Sequence, residues 1–314
     1  MKILVTGCAG FIGSNLTERL LGLDHRVIGI DNFDPYYEKK IKLQNLRDLR
    51  KNKKFVFYEA DMRKVKDLEK IFRNEKPGII FHMAARAGVR ASIRHPKLYN
   101  DININGTLNL LNLTLKHEVE KFIFASSSSV YGCYKYLPIN EDHPTQPISP
   151  YGISKLAAEK YCLFFDKAYG LKTICIRIFT AYGPRQRPDE AICKFTKLIF
   201  SDKPVTIYGD GEQVRDFTYI DDIVNGFILA MKKNVHGIAL NIGSGRKVSV
   251  NELVDLLEKY SKRKVKRVYV EKHVGDVPAT HADISKARQL LGYKPKVDIE
   301  EGIKRFIEWF EKSV

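Results

Sequence analysis

The sequence predicts an α/β chain in two parts. Residues 1–179 form a doubly wound parallel sheet, and residues 180–314 form a smaller mixed α/β domain. Three observations carry this. Short, continuous apolar runs alternate with segments of helical spacing through the first part, as parallel strands buried on both faces require. The first of those runs opens directly into a glycine-rich turn and a helix. Near residue 180 the texture changes to a turn-rich, basic connection, Thr180-Ala181-Tyr182-Gly183-Pro184-Arg185-Gln186-Arg187-Pro188, where the domain boundary is placed.

Taken in order, Ile3-Leu4-Val5 reads as a central strand, followed by Thr6-Gly7-Cys8-Ala9-Gly10-Phe11-Ile12-Gly13 and a helical pattern closed by Gly22. Glycines at 7, 10 and 13 let the backbone turn tightly and approach a pyrophosphate, while the helix N-terminus supplies donors and positive potential. The next run, Val27-Ile28-Gly29-Ile30, ends at Asp31, whose carboxylate suits ribose hydroxyls and repels a 2′-phosphate. Its neighbour is Asn32 and not an arginine, so NAD is expected rather than NADP. Strand, glycines, helix, strand and acid in this order predict a Rossmann-type unit. Further strands are expected at Phe55–Tyr58, ending near Asp61-Met62, and at Gly78–Phe81, leading into the small residues Ala84-Ala85-Arg86 and then Arg90, which is expected to face a phosphate. A helix is expected over about 97–116, then strands over 122–125 and 173–178. Helices follow near 190–200, 219–232, 249–260, 283–291 and 299–311, with residues of about 215–245 returning to pack on the first part.

Composition narrows the function classes. The chain has 314 residues, 53 Lys+Arg against 37 Asp+Glu, and a formal net charge of +16. Such a charge attracts anionic ligands, nucleotides included. The lysines are spread along the chain and no nucleic-acid motif accompanies them, so no nucleic-acid partner is expected. Five cysteines, an odd number without metal-ligand spacing, suit a reduced cytoplasmic protein with no metal site. The apolar N-terminal run is too short for a signal peptide, and no run approaches the roughly 18 apolar residues of a membrane span.

The chemistry concentrates between Lys121 and Lys155. An apolar strand reaches the serines Ser126 to Ser129. After a polar loop comes Ser149-Pro150-Tyr151-Gly152-Ile153-Ser154-Lys155. Ser149 is a good N-cap and Pro150 suits the first helical position. Tyr151 and Lys155 then lie one turn apart on one helix face. A tyrosine with its ordinary pKa of about 10 is a poor base near neutrality, and a lysine ammonium beside the phenol is expected to lower it. With strand-end Ser127 bridging to a substrate hydroxyl, the trio is a proton-transfer device for an alcohol.

These residues together resemble the extended branch of the short-chain dehydrogenase/reductase family, and within it the nucleotide-sugar 4-epimerases. The resemblance covers the glycine loop, Asp31, Asp61-Met62, the serine strand and Tyr151/Lys155. It continues through Tyr182-Gly183-Pro184-Arg185, Tyr208-Gly209-Asp210-Gly211, Val214-Arg215-Asp216-Phe217 and Ala282-Asp283-Ile284-Ser285-Lys286-Ala287. It implies bound NAD, a UDP-sugar in the cleft, and a homodimer joined by two helices from each subunit. Arg215 and Asp276 resemble the family's contacts to the UDP phosphates and ribose; His273 stands where many hexose epimerases have an arginine.

The serines bear on the sugar. Dehydratases of the family carry an Asp-Glu pair where Ser128-Ser129 stand, and UDP-xylose-forming decarboxylases a Glu at the place of Ser129. Hydroxyls at Ser128, Ser129 and Thr180, with Arg185 nearby, are expected to make a polar pocket for a C6 carboxylate. The segments 31–37, 87–90 and 185–189 also resemble UDP-glucuronate 4-epimerases, making UDP-glucuronate the expected substrate. The alternatives are UDP-glucose or, because Thr280 is small, UDP-N-acetylglucosamine. Behind them stand a UDP-glucuronate decarboxylase and a non-enzymatic NAD-binding protein, a class that typically loses the Tyr or the Lys.

Overall fold

The computed structural model describes residues 1–271 and 277–313. Its centre is a sheet of seven strands: β1 (Lys2–Thr6), β2 (Arg26–Asp31), β3 (Phe55–Glu59), β4 (Ile79–His82), β5 (Lys121–Ser127), β6 (Lys172–Ile178) and β7 (Ile238–Ile242). The spatial order is β7-β6-β5-β4-β1-β2-β3, and every neighbouring pair is parallel. The chain winds outward from β1 to β3, then restarts at β4 on the other side of β1. Connections leaving in opposite directions open a crevice beyond the carboxyl ends of β1 and β4, where ligands of such sheets bind.

Side chains alternate across the sheet and both faces are apolar. Leu4, Ile28, Ile80 and Phe122 pack with Phe72, Leu110 and Cys162 on one face. Ile3, Val5, Phe81, Ile123 and Ile176 pack with Leu16, Leu20 and Phe227 on the other. The second layer continues without a break into Ile192, Leu253 and Phe306. Burying each such side chain contributes about 1.5–3 kcal/mol, so the C-terminal part is seated on the sheet by the same core that holds the sheet itself.

The expected strands and helices are present, with two differences. β7 arises from Ile238-Ala239-Leu240-Asn241-Ile242, beyond the basic connection, and adds to the β6 edge after the Ile220–Lys232 helix crosses the sheet. The helix expected over 97–116 is a short helix (Pro96–Tyr99), a π-helical stretch (Asn100–Asn105) and a regular helix (Gly106–Lys116). At Gly106 an added Cβ would lie 2.8 Å from Met62 Cγ, so glycine there permits close packing. The C-terminal part adds three small pairings: Thr180–Tyr182 with Phe217–Tyr219, Val205–Tyr208 with Arg267–Val270, and Val214–Arg215 with Val248–Ser249. Among the described residues no helix is long and apolar enough to cross a membrane, and no cluster of His, Cys, Asp or Glu could hold a metal ion.

Candidate active site

A cavity of about 490 Å³ runs along the carboxyl ends of the strands, from Asp31 past the glycine turn to Tyr151 and Thr180. Every residue assigned from sequence to the cofactor lines it: Gly7, Gly10, Phe11, Ile12, Gly13, Asp31, Asn32, Asp61, Met62, Ala84, Ala85, Arg86, Tyr151 and Lys155. The turn has no room for side chains. Gly7 has φ +68°, and a Cβ on Gly13 would sit 2.0 Å from the Gly7 carbonyl oxygen. Gly7 N–H donates to the Ile30 carbonyl (2.7 Å), tying the turn to the end of β2. There the Asp31 carboxylate accepts from Ala9 N–H (3.1 Å) and Phe33 N–H (2.8 Å). Burial pushes its pKa up, and Lys42 and those two N–H groups oppose the shift. Asp61 is held by Arg63 and by the Asn32 amide (2.9 Å), and the Arg63 hydrogen bonds bring it down to about 2. The end of β1 rests on a buried support: His82 lies between the hydroxyls of Thr6 (2.8 Å) and Thr107 (2.9 Å). Burial, with Lys155 nearby, pushes its imidazole down to about 3, so His82 is neutral and braces the cavity floor.

At the other end the N-cap and first-turn proline hold as expected: Ser149 Oγ accepts from Gly152 N–H (3.1 Å) and Pro150 opens the helix Pro150–Tyr169. This aims Tyr151 and Lys155 into the cavity beside Ser127, Ser128 and Ser129. The electrostatics differ from expectation. Burial raises the Tyr151 pKa, and the groups that oppose it are the Ser127 hydroxyl and the Arg187 guanidinium, while Glu190 adds to the rise. Lys155 is not among them. It is buried with Nζ 4.4 Å from the Phe124 ring centroid, and burial pulls its pKa down to about 8.

The other sequence-assigned positions divide. Thr180 lines the cavity with the serines, but Arg185 does not. Arg185 has φ +69°, which turns its side chain away to an ion pair with Glu18 (2.9 Å). Arg187, two residues on, lines the cavity in its stead, with Gln186 and Glu190. Arg90 stacks on Tyr208 (4.8 Å) and Arg215 donates to the Val214 carbonyl (2.8 Å); neither is part of this cavity wall. Thr280 accepts from Asp216 N–H (3.4 Å), bracing the fold rather than lining the cavity. Asp276 and His273 lie outside the described residues.

Several supporting residues went unrecognised in the sequence. The Asn103 amide, in the π-helical stretch, donates to Ser154 Oγ (2.9 Å) and the Arg86 carbonyl (3.0 Å), and its oxygen accepts from Arg86 N–H (2.8 Å). It thereby locks the 84–88 segment to the tyrosine helix. Behind Ser127, the buried Glu159 accepts from Ser126 Oγ (2.7 Å) and pairs with Arg177 (2.6 Å). Arg177 also reaches Tyr131, which donates to Asn241 of β7 (2.6 Å). Tyr36 packs against Gly88, lies between the Arg86 and Arg187 guanidinium groups, and donates to Asp189 (3.1 Å). An asparagine in a helical pattern carries no sequence signal that separates such a role from solvent exposure, and Tyr36 is marked only through the resemblance of segment 31–37.

A glycine turn on a doubly wound sheet, a strand-end carboxylate and Ser127, Tyr151 and Lys155 in one cavity define a dinucleotide-binding protein of the short-chain dehydrogenase/reductase type. A family model described as GDP-mannose 4,6 dehydratase matches residues 4–306, and the chain belongs to that family, within the extended branch. It is 43% identical over 313 residues to a UDP-glucuronate 4-epimerase of Thermodesulfobacterium geofontis, covering 99% of this chain and 96% of that protein. The crystal structure of UDP-glucuronic acid 4-epimerase from Bacillus cereus in complex with UDP-glucuronic acid and NAD is similar at TM-score 0.95 and 39% identity, over 100% of both chains. A UDP-glucose 4-epimerase from Thermotoga maritima with UDP-glucose is similar at TM-score 0.93 and 39% identity, over 100% of this chain and 99% of that one.

Proposed function

We propose that this chain is an NAD-dependent nucleotide-sugar 4-epimerase that converts UDP-glucuronate to UDP-galacturonate. The observation that carries the reading is the cavity's sugar end. Tyr151, Lys155 and Ser127 stand together there, and residues 126–129 supply hydroxyls without a carboxylate. Water elimination, the reaction in the family's name, needs an acid/base pair that this strand end lacks, although the family model matches. The cavity fits NAD, since its glycine turn admits nothing larger than hydrogen at Gly13 and Asp31 closes the ribose end. Held there by Gly7, Gly10, Gly13 and Asp31, NAD would supply a reversible hydride acceptor for the sugar C4.

The chain's own residues handle protons and position. Tyr151 takes the proton of the 4-hydroxyl and gives it back, with Ser127 bridging the two oxygens. Lys155 keeps positive charge beside that end of the cavity. Ser128, Ser129 and Thr180, with Arg187 in place of Arg185, hold the C6 carboxylate through bonds worth about 1.5–3 kcal/mol each when charge-assisted. Such bonds bias the carboxylate's orientation yet let the ring turn over between oxidation and reduction. A 4-keto uronate loses carbon dioxide most readily when its C5–carboxylate bond is perpendicular to the ketone, and the clamp holds it away from that alignment. Arg90, Arg215 and Asp276 are assigned to the UDP portion.

The test is incubation of the purified protein with UDP-glucuronate, UDP-glucose and UDP-N-acetylglucosamine, with products read by NMR. UDP-galacturonate is the expected main product; turnover of UDP-glucose alone would overturn the uronate reading. We further infer a cytoplasmic homodimer. The helix Pro150–Tyr169 exposes Ile153 (53%) and Phe164 (53%), and the neighbouring Gly106–Lys116 helix adds Leu115, an apolar face suited to a second copy. A monomeric mass by light scattering would refute the dimer.

A further inference from the structure

The cavity's sugar end holds a carboxylate that the mechanism above does not use. Glu190 lines the cavity, half-buried, just before the helix Ala191–Phe200. Its side chain pairs with Arg187 Nη2 (3.0 Å) and accepts from Gln186 Nε2 (2.8 Å), so it is fixed from two sides. Arg187 is held on its other side by Asp189, through Nε (3.0 Å) and Nη2 (3.1 Å). Both Arg187 and Glu190 act on the Tyr151 phenol, in opposite senses, which places the pair within electrostatic reach of the reacting end. Arg86 is likewise neutralised, by Asp34. Arg187 thus faces two carboxylates, Glu190 in the cavity wall and Asp189 outside it.

A substrate carboxylate approaching Arg187 therefore finds a cation already doubly paired. We infer that Glu190, through its ion pair with Arg187, sets how strongly the cavity favours a sugar bearing a carboxylate over a neutral hexose. Ionised Glu190 competes with the C6 carboxylate for the guanidinium and repels it. A neutral side chain at 190 leaves Arg187 with Asp189 alone and releases the Nη2 N–H that faces Glu190 for the substrate, while Asp189 keeps the other. The inference rests on the UDP-sugar 4-epimerase reading and names the residue that tunes its substrate class.

The same placement links selectivity to pH. The groups that face Glu190 are Arg187, Asp189, Gln186, Tyr37, Tyr151 and Cys193. Burial raises its carboxyl pKa first of all, Asp189 adds to this, and Arg187 and Gln186 oppose it. Asp189, exposed at the surface, is shifted down by the Arg187 hydrogen bonds against partial desolvation, so it stays ionised where Glu190 takes up its proton. Any shift in Tyr151 acts on both sugars alike and cancels in their ratio.

The experiment compares kcat/KM for UDP-glucuronate and UDP-glucose in the parent, Glu190→Gln and Asp189→Asn, across pH. Gln keeps the size of the side chain and an oxygen for the Gln186 amide. Glu190→Gln is expected to raise the glucuronate-to-glucose ratio on the order of tenfold, through KM for the uronate. Its ratio should be flat with pH, whereas the parent's rises as pH falls into the carboxylic range. Asp189→Asn removes an equal charge outside the cavity wall and should move the ratio less. A parent active on UDP-glucuronate whose ratio is unchanged in Glu190→Gln overturns the inference and leaves the uronate reading standing. A parent active only on UDP-glucose, with UDP-glucuronate turnover gained in Glu190→Gln, supports the inference and sinks the uronate reading. An equal response from Asp189→Asn overturns it as well.

Discussion

The two ends of the cavity are built differently. The adenosine end is a local construction: Gly7, Gly10, Gly13 and Asp31 lie on one strand–turn–helix–strand unit, joined by a backbone hydrogen bond from Gly7 to Ile30 and by one from Ala9 N–H to the Asp31 carboxylate. The sugar end draws Ser127, Tyr151, Thr180, Arg187 and Glu190 from four separate segments. It is held by buried polar networks through Glu159, Arg177 and Asn103. Steric exclusion rules at one end and charge balance at the other. A substitution at the first should act through space and backbone, and at the second through protonation and ion pairing.

The largest effect expected is at the reacting end. Tyr151→Phe should lower kcat about a thousandfold, within the range of a lost general acid–base group, while UDP-sugar binding measured by calorimetry stays near the parent's. A fully active variant would remove the proton-transfer mechanism. Next, Gly13→Ala pits a methyl against the Gly7 carbonyl at 2.0 Å. A cost of about 3 kcal/mol is expected, read as a lower melting temperature and weaker NAD binding by calorimetry.

Lys155→Met should separate function from stability. Burial lowers the Lys155 pKa from 10.5 to about 8, so its charge weighs against the folded state at pH 7. That penalty corresponds to as much as about 3 kcal/mol. The unfolded chain binds the proton up to 10.5 and the folded one only to about 8, so native stability rises with pH across that window. The variant, stripped of cofactor, should therefore melt higher than the parent at pH 7. The gain should shrink as pH climbs from 8 towards 10.5, while activity is lost at every pH. A variant less stable at pH 7 would contradict the burial penalty.

The smallest comparison pairs two arginines. Arg187→Ala should raise KM for UDP-glucuronate by a loss of about 1.5–3 kcal/mol, whereas Arg185→Ala, which breaks an ion pair with the exposed Glu18, should change activity little and stability by less than about 1 kcal/mol. Equal kinetic effects would erase the distinction between them.

The sequence alone determined the doubly wound sheet, the dinucleotide end and the helix that carries Tyr151 and Lys155. Those features rest on interactions between near neighbours: apolar runs, glycines where a Cβ cannot stand, and an N-cap with a proline that places Tyr151 and Lys155 one turn apart. Only the tertiary structure decided which arginine of Arg185-Gln186-Arg187 lines the cavity, because a left-handed backbone at Arg185 sends that side chain to Glu18. It also decided that burial, and not Lys155, dominates the Tyr151 phenol, and that Ile238–Ile242 completes the sheet. Charge balance and edge pairing depend on distances between segments far apart in the chain, and no local pattern of residues records those distances.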